Sequence, residues 1–445
     1  MTPLGGRRRL AVVGAGVSGL VAAAELQRAG HDVHVFEAGP YAGGHTNTID
    51  VETPGGRWAV DTGFIVFNDR NYPNFERLLG ELGIASRPAK MSFSVSDGRG
   101  GFEWATRSPR ALFARPGHLL DRRFHRMLLD LLRFNREARA LAAGGKGPSL
   151  RRFLVDGDYS EYFIERLLVP QASAVWSADP DQLWSFPAAF LAQFFENHGV
   201  LQLRGRPSWR TIPGGSRRYV EALIAPFRDR VHLRSPVRSI VRRPGSVSLR
   251  LDDADLSFDE VVIATHSDQA LRMLADPSPG ERRVLGAIAY QRNEAVLHTD
   301  PGVMPRRRSA WASWNYHLAG EPSGRTTVTY DMNRLQSLGA DRDLLVTLNR
   351  TEAIDPAAVI RVIDYAHPVF TPEGVEAQRA WGEISGRGRT HYCGAYWRWG
   401  FHEDGVWSAL RVSRALGGRN LLRQPSEPAE VPASEPLAPV LAEVA

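Results

Sequence analysis

The chain has 445 residues, 43% of them hydrophobic and 23% charged, a globular composition that excludes disorder as a whole-chain description. The formal charge is +6 and there is one cysteine, Cys393, which excludes an intramolecular disulfide and cysteine-based zinc or iron–sulfur sites. The uncharged run Leu10–Ala24 spans 15 residues and holds three glycines, too short for a spanning helix.

Arg7-Arg8-Arg9 before that run imitates a twin-arginine export signal. The glycine pattern that follows belongs to a fold rather than a leader, and no small-residue cleavage site comes after it, so the expected location is cytoplasmic. Leu10–Val13 reads as a short apolar strand, Val17–Arg28 as a helix closed by Gly30, and His31–Glu37 as a second strand. Between the first strand and the helix stands Gly14-Ala15-Gly16-Val17-Ser18-Gly19. Gly14 permits the tight turn, Gly16 admits a pyrophosphate close to the backbone, and Gly19 lets helix and strand pack closely. The helix N-terminus offers free N–H groups and a positive dipole end to phosphates. Glu37 ends the second strand, where a carboxylate accepts from ribose hydroxyls and repels a 2′-phosphate. Strand, turn, helix, strand and acid in that order predict a dinucleotide site.

Pro73–Leu82 reads as helical, and Pro116–Leu141 as a stronger helical segment broken once. In it Phe124, Leu128, Leu131, Ala138 and Leu141 recur at helical spacing, with Arg122, Arg123, Arg126, Arg133, Arg136 and Arg139 between them. From Arg107 to Arg152 twelve basic residues stand against Asp121, Asp130 and Glu137. The segment 107–141 has three readings: a solvated face, a surface resting on anionic lipid, or a nucleic-acid contact. No nucleic-acid motif accompanies it, so no such partner is expected. Ala143–Pro148 is a glycine-rich break. Ser149–Gln202 reads as helical and aromatic, with Trp176, Trp184, Phe186, Phe190, Phe194 and Phe195. Val231–Val241 and Ser246–Leu251 predict a hairpin, Glu260–Thr265 a buried strand, and Arg308–Tyr316 and Thr326–Tyr330 aromatic strands. From Gln424 on, the Pro, Glu and Ala composition predicts a disordered tail. No His, Asp or Glu pair has metal-ligand spacing, so no metal is expected.

After Glu37 come Ala38-Gly39-Pro40-Tyr41-Ala42-Gly43-Gly44-His45 and Val60-Asp61-Thr62-Gly63-Phe64. Far downstream come His391-Tyr392-Cys393-Gly394 and Gly400-Phe401-His402-Glu403-Asp404-Gly405-Val406. With Ser235-Pro236-Val237-Arg238-Ser239 and Val261-Val262-Ile263-Ala264-Thr265 between them, these segments resemble, in order, the motifs of the flavin amine oxidase and phytoene desaturase superfamily, from residue 9 to about residue 417. The resemblance implies an α/β fold: a Rossmann-like FAD-binding domain of glutathione-reductase-like topology over 1–85, 206–275 and 385–423, with an interleaved α+β substrate domain over 86–205 and 276–384. It implies non-covalent FAD held by Gly14, Gly16, Val17, Ser18, Gly19, Glu37, Ala38, Gly43, Gly44, His45, Thr62, Gly63, Phe64, Val237, Ala264, Gly394, Asp404, Gly405 and Val406.

Phe195–Gly199, Arg206–Ser216, His298–Asp300, Ala310–Tyr316 and Cys393–Tyr396 resemble one bacterial branch of that superfamily, similar to flavoproteins that accompany cyclopropane-fatty-acyl-synthase-like methyltransferases. That resemblance implies dehydrogenation of a lipid acyl chain, methyl-branched or of cyclopropane type, with a methyltransferase as partner and at most a peripheral position at the inner membrane face. Amine oxidation is the alternative activity. A non-catalytic flavin-binding accessory to the methyltransferase is the alternative of another class. The sequence departs from the superfamily in two ways. It has no lysine after Lys146 to serve at the flavin, and His45 stands where arginine usually ends the Gly-Gly turn. Phe401, Tyr396, Trp314 and His198 are expected to face substrate, His198 being either a turn residue or a base. Glu403 and Asp404 are either helix caps or substrate contacts, and Asp61 is expected to fix the turn before Gly63. The aromatic segment 176–195 is expected to line an acyl tunnel.

Overall fold

A computed structural model describes residues 6–144, 147–176, 183–184, 186–202, 205–318 and 325–423. Lys146 and the expected tail from Gln424 lie outside the described residues. The helices that matter for the site are α1 (Val17–Arg28), α2 (Pro73–Glu81), α3 (Arg122–Gly144), α4 (Leu150–Asp156), α5 (Ala188–Asn197) and α6 (His402–Ala415).

Five parallel strands form the first sheet, in the order Val231–His232, Asp32–Phe36, Arg9–Val13, Glu260–Ile263 and Thr390–Tyr392. Its central strand reads Leu10-Ala11-Val12-Val13, buried throughout, because both faces are covered. On one face lies α1, ten of whose twelve residues are buried. It is apolar all round because the sheet covers one side and α6 the other. The second sheet has seven strands, in the order Val359–Pro368, Tyr290–His298, Leu345–Leu348, Val328–Asp331, Trp314–His317, Phe93–Ser96 and Glu103–Ala105. All its pairs are antiparallel except Trp314–His317 with Phe93–Ser96. The long helix α3 packs on α5 beside it.

Two expected elements come out differently. Val231–Val241 is not one arm of a hairpin. Val231–His232 joins the parallel sheet beside Asp32–Phe36, and the antiparallel pairing with Val247–Arg250 begins only at Ser239. Pro236 between them has no N–H for a ladder, which divides the run in two. Arg308–Tyr316 begins as a helical turn at Arg308–Ala310, and its strand starts at Trp314. The expected break in Pro116–Leu141 falls at Leu120–Asp121, between a 3-10 turn over Pro116–Leu119 and α3.

Candidate active site

A cavity of about 810 Å³ opens where the C-terminal ends of the parallel strands meet the second sheet, the position at which open α/β folds hold their ligands. One end is built from glycine. Gly14 has φ +101°, and a Cβ there would lie 2.9 Å from the Ala264 carbonyl oxygen, so only glycine makes this turn without strain. A Cβ on Gly19 would overlap the Gly14 carbonyl oxygen, whereas a Cβ on Gly16 would meet no protein atom within 4 Å. The space beside Gly16 is therefore cavity, and α1 begins against it with no side-chain cap and no acid in its first turn. An uncapped helix N-terminus facing open space fits a diphosphate. The Gly43-Gly44 turn closes the other side: Gly43 N donates to Ala15 O at 2.7 Å, and a Cβ on Gly44 would stand 3.2 Å from Gly16 Cα.

Glu37 lines the same cavity. Its carboxylate accepts from Ala15 N at 2.8 Å and Gly39 N at 2.7 Å, which holds it at the strand end where ribose hydroxyls would reach it. Pro236, Val237 and Arg238 continue the wall beyond it. Val17, Ser18, Ala38, His45, Thr62, Gly63, Phe64, Ala264 and Gly394 all line the cavity as well. These residues fit an extended dinucleotide: a nucleoside end at Glu37 and Val237, a diphosphate cradle at Gly14–Ser18, and a ring end at Thr62–Phe64 and Gly394.

Four residues expected at the cofactor do not line the cavity. Gly19 lies beneath the turn, where its missing side chain lets α1 approach the strand. Gly405 does the same for α6, since a Cβ there would lie 2.7 Å from Val17 Cγ1. Val406 is fully buried against α1. Asp404 caps α6, with Oδ2 accepting from Phe401 N at 2.9 Å and Arg398 within 3.6 Å. Burial pushes its carboxyl up to about 6. Glu403 is also a cap, but of another helix. It accepts from Phe75 N at 2.9 Å and from Asn74 N at 3.2 Å, at the start of α2, and burial raises it to about 7.

Among the expected substrate-facing residues, Phe401, Tyr396 and Trp314 line the cavity and His198 does not. His198 sits behind the wall. Its ring stacks on Phe194 at 3.9 Å and its Nδ1 is 3.0 Å from the Phe194 carbonyl oxygen, so it ends α5, as the turn reading has it. The tunnel expected from 176–195 is also corrected. Trp176 lines the cavity, but Phe186, Phe194 and Phe195 fill the core: Phe186 and Phe194 pack behind Trp176, and Phe195 turns to Phe134 of α3. The apolar wall of the cavity beyond the ring end is made by Ile65, Trp176, Trp314, Phe370, Trp399 and Phe401. Trp311 is buried elsewhere, donating to Pro305 O at 2.7 Å. Cys393 lies in the core against α1 rather than on the cavity.

The sequence reading missed a cluster of imidazoles. His45 stacks on Tyr365 at 4.8 Å, and its centroid is 5.2 Å from His367 and 6.4 Å from His266. His266 in turn stacks on Tyr290 at 4.2 Å. His402 stacks on Phe64 at 3.5 Å, and its Nε2 lies 2.9 Å from both Thr46 Oγ1 and Tyr219 OH. Burial lowers all four rings: His367 to about 4, His402 to about 3, and His45 well below the ordinary value, helped by the neighbouring imidazoles. They are neutral at pH 7. The His367 tautomer follows from its partners. Asn349 Oδ1 accepts from Glu294 N at 2.9 Å and its Nδ2 donates to Thr326 O at 3.0 Å, which orients the amide. That Nδ2 also donates to Asn293 Oδ1 at 2.7 Å, so Asn293 Nδ2 donates to His367 Nδ1 at 2.8 Å. Nδ1 is thus an acceptor and the ring carries its proton on Nε2.

These depressed histidines set an acid limit on the fold. His198, His298 and His367 are lowered to about 4, His317 and His402 to about 3. Such a group contributes stability that is present above the ordinary histidine value and is lost as pH falls toward the folded one. The raised carboxyls of Asp61, Glu403 and Asp404 act oppositely, losing stability as pH rises through about 6 to 7. The imidazoles are more numerous, so the melting temperature should drop when pH falls from about 7 to about 5. A melting temperature that rises over that interval in thermal scans would contradict this balance.

The comparisons with known proteins agree with this geometry. The sequence profile described as flavin containing amine oxidoreductase matches residues 17–304. The carotenoid phi-ring synthase of Streptomyces griseus is 29% identical over 318 residues, covering 67% of this chain and 59% of that protein. The chain thus spans about three-fifths of that relative's length. Cyclohexylamine oxidase from Brevibacterium oxydans has the same fold, with a TM-score of 0.66 at 17% identity over 92% of this chain and 99% of that one. So has the CLA-producing fatty acid isomerase from P. acnes, with a TM-score of 0.63 at 16% identity over 92% of this chain and 98% of that one. The mixed α/β architecture, the glycine cradle with Glu37, and the matched profile carry one conclusion: the chain belongs to the flavin-containing amine oxidoreductase family, and its cofactor is FAD.

Proposed function

We propose that this FAD-dependent oxidoreductase dehydrogenates an apolar substrate, a lipid acyl chain, rather than an amine. The observation that carries the reading is the charge of the substrate wall. Among the described residues lining the cavity, the only carboxylates are Glu37, engaged at the nucleoside end, and Asp364, exposed on its strand. No lysine lines it. An ammonium group would find only the faces of aromatic rings, a weaker counterpart than a fixed anion, whereas a hydrocarbon chain is matched by Ile65, Trp176, Phe370 and Phe401. The names of two similar proteins, a carotenoid ring synthase and a fatty acid isomerase, fit an apolar substrate.

FAD, when bound, supplies the hydride acceptor. The chain's own part is to hold the substrate against aromatic walls, exclude water and manage the proton that leaves with the hydride. His266, with Asp268 opposing its burial, is the imidazole able to take that proton, His45 is held neutral beside it, and His367 offers Nε2–H as a fixed donor that orients a polar substrate end. The test is anaerobic mixing of the purified flavoprotein with phospholipids bearing unsaturated, cyclopropane or methyl-branched chains, and separately with common amines. Loss of the oxidised flavin absorption with lipids alone is expected. Loss with amines alone would return the protein to amine oxidation.

A further inference from the structure

Nine large apolar side chains are exposed among the described residues, and five of them, Leu119, Leu120, Leu129, Leu132 and Val155, fall between residues 119 and 155. Leu120 is 89% exposed and Val155 68%. Chance scatter would spread them over the whole surface. They share a structural unit. His125 Nε2 meets Leu119 O at 2.9 Å, folding the Pro116–Leu119 turn onto the first turn of α3. Arg133 and Arg126 both donate to Asp158 O, at 3.0 Å and 3.3 Å, which ties the end of α4 to the middle of α3.

The outer face of α3 has a definite composition. Phe124, Met127, Phe134 and Ala138 form its buried stripe. Opposite that stripe lie Arg122, Arg126, Leu129, Arg133 and Arg136, one face at three- and four-residue spacing. Leu129 is at its centre and 58% exposed. From Arg107 to Asp158 the sequence holds eleven arginines and Lys146 against five carboxylates. Arg126 and Arg133 share Asp130, whereas Arg110, Arg115, Arg122 and Arg151 have no carboxylate partner among the described residues. A purely solvated face would carry arginine without leucine at its centre. A nucleic-acid face would too, since phosphates reward charge and not aliphatic side chains. A second copy of the chain in a two-fold dimer would bring arginine against arginine.

We propose that this face docks on an anionic lipid surface, with Leu119, Leu120, Leu129, Leu132 and Val155 entering the headgroup layer and the unpaired arginines meeting lipid phosphates. Apolar side chains framed by arginine give the two attractions that interfacial helices combine. Docking needs no turnover, so it stands or falls separately from the substrate reading above.

The test is flotation of the full flavoprotein with vesicles of phosphatidylglycerol and phosphatidylcholine, and with pure phosphatidylcholine. The protein should float with the anionic vesicles at low salt, be released as salt rises, and stay behind with the zwitterionic ones. Arg122→Ala and Arg136→Ala should each weaken binding about fivefold. The double variant Leu119→Ser with Leu120→Ser should weaken it further while retaining the flavin spectrum. Arg282→Ala, at an exposed arginine outside this stretch, should bind as the parent does. Equal flotation with both vesicle types, or none, or binding indifferent to the leucine and arginine variants, would overturn the proposal. A concentration-dependent dimer dissolved by Leu129→Ser would assign the face to a second copy instead.

Discussion

Gly16→Ala and Gly19→Ala, two of the smallest changes available, should separate flavin binding from folding. At Gly16 a Cβ meets no protein atom within 4 Å, and φ −73° suits alanine. The fold should be unchanged, with the same melting temperature for the apoprotein, but the methyl group enters the space where a diphosphate would lie. At Gly19 the methyl overlaps the Gly14 carbonyl oxygen and stands 3.1 Å from Ala264 Cβ. Backbone must move, α1 must back away from the strand, and overpacking of this kind costs about 1–3 kcal/mol. Both proteins should therefore lose FAD, by about tenfold to a hundredfold in affinity, and only Gly19→Ala should also melt lower. Flavin absorption after gel filtration and a thermal scan of each apoprotein read the two effects apart. Retention of FAD by Gly16→Ala would move the diphosphate away from this turn.

That contrast also shows which parts of the site are legible in the sequence. Gly14, Gly16 and Gly19 act within one turn and Glu37 at the next strand end, so their roles follow from local backbone physics and their order along the chain. The caps are half legible. Asp404 bonds three residues back, at the spacing of a first-turn cap, but Glu403 caps α2, whose Asn74 is 329 residues away, and no local pattern announces that. The imidazole cluster is invisible for the same reason. His45, His266 and His367 stand on a turn, after a parallel strand and on a strand of the second sheet, and only the closure of the two sheets brings them together. Val231–His232 looks like a hairpin arm because its apolar residues resemble those after Ser239. Pro236 marks the division locally, but the free edge of Asp32–Phe36 that takes up Val231–His232 is a long-range fact. For His198 the turn reading is the one the structure shows, and of the segment 176–195 only Trp176 among the named aromatics reaches the cavity. Aromatic residues at helical spacing are as suited to a core as to a tunnel, and here Phe194 packs behind the cavity wall at Trp176 and Phe401 while Phe195 packs on Phe134 of α3.

Asp61→Ala should be the most damaging single change away from the glycine turn. The carboxylate is fully buried and collects donors from three parts of the chain: Thr48 Oγ1 at 2.5 Å, Ser216 N and Oγ at 2.9 and 2.8 Å, and Gln336 Nε2 at 3.0 Å. It does more than fix the turn before Gly63; it joins the Thr48–Thr53 strand, the 214–216 turn and Gln336, at the end of the Met332–Leu335 helical turn, at one point. Alanine leaves those donors buried without an acceptor, at about 1–3 kcal/mol each where no other partner is found, so a loss of at least about 3 kcal/mol is expected. Asparagine is no remedy, because its NH₂ would face Gln336 Nε2 or Ser216 N. The pH dependence gives a second signature. Burial, stronger here than the Thr48 and Ser216 hydrogen bonds and the Arg217 charge that oppose it, raises the carboxyl to about 6. A group raised in this way contributes stability that is complete below the ordinary carboxylate value and diminishes as pH rises through about 6. The gap between parent and Asp61→Ala in chemical unfolding should therefore narrow from pH about 5 to about 8, and a gap that widens would show the carboxylate to be stabilised in its charged form. Since Thr62, Gly63 and Phe64 follow directly and line the ring end of the cavity, the same variant should release FAD before it unfolds, linking this buried carboxylate to the cofactor it never touches.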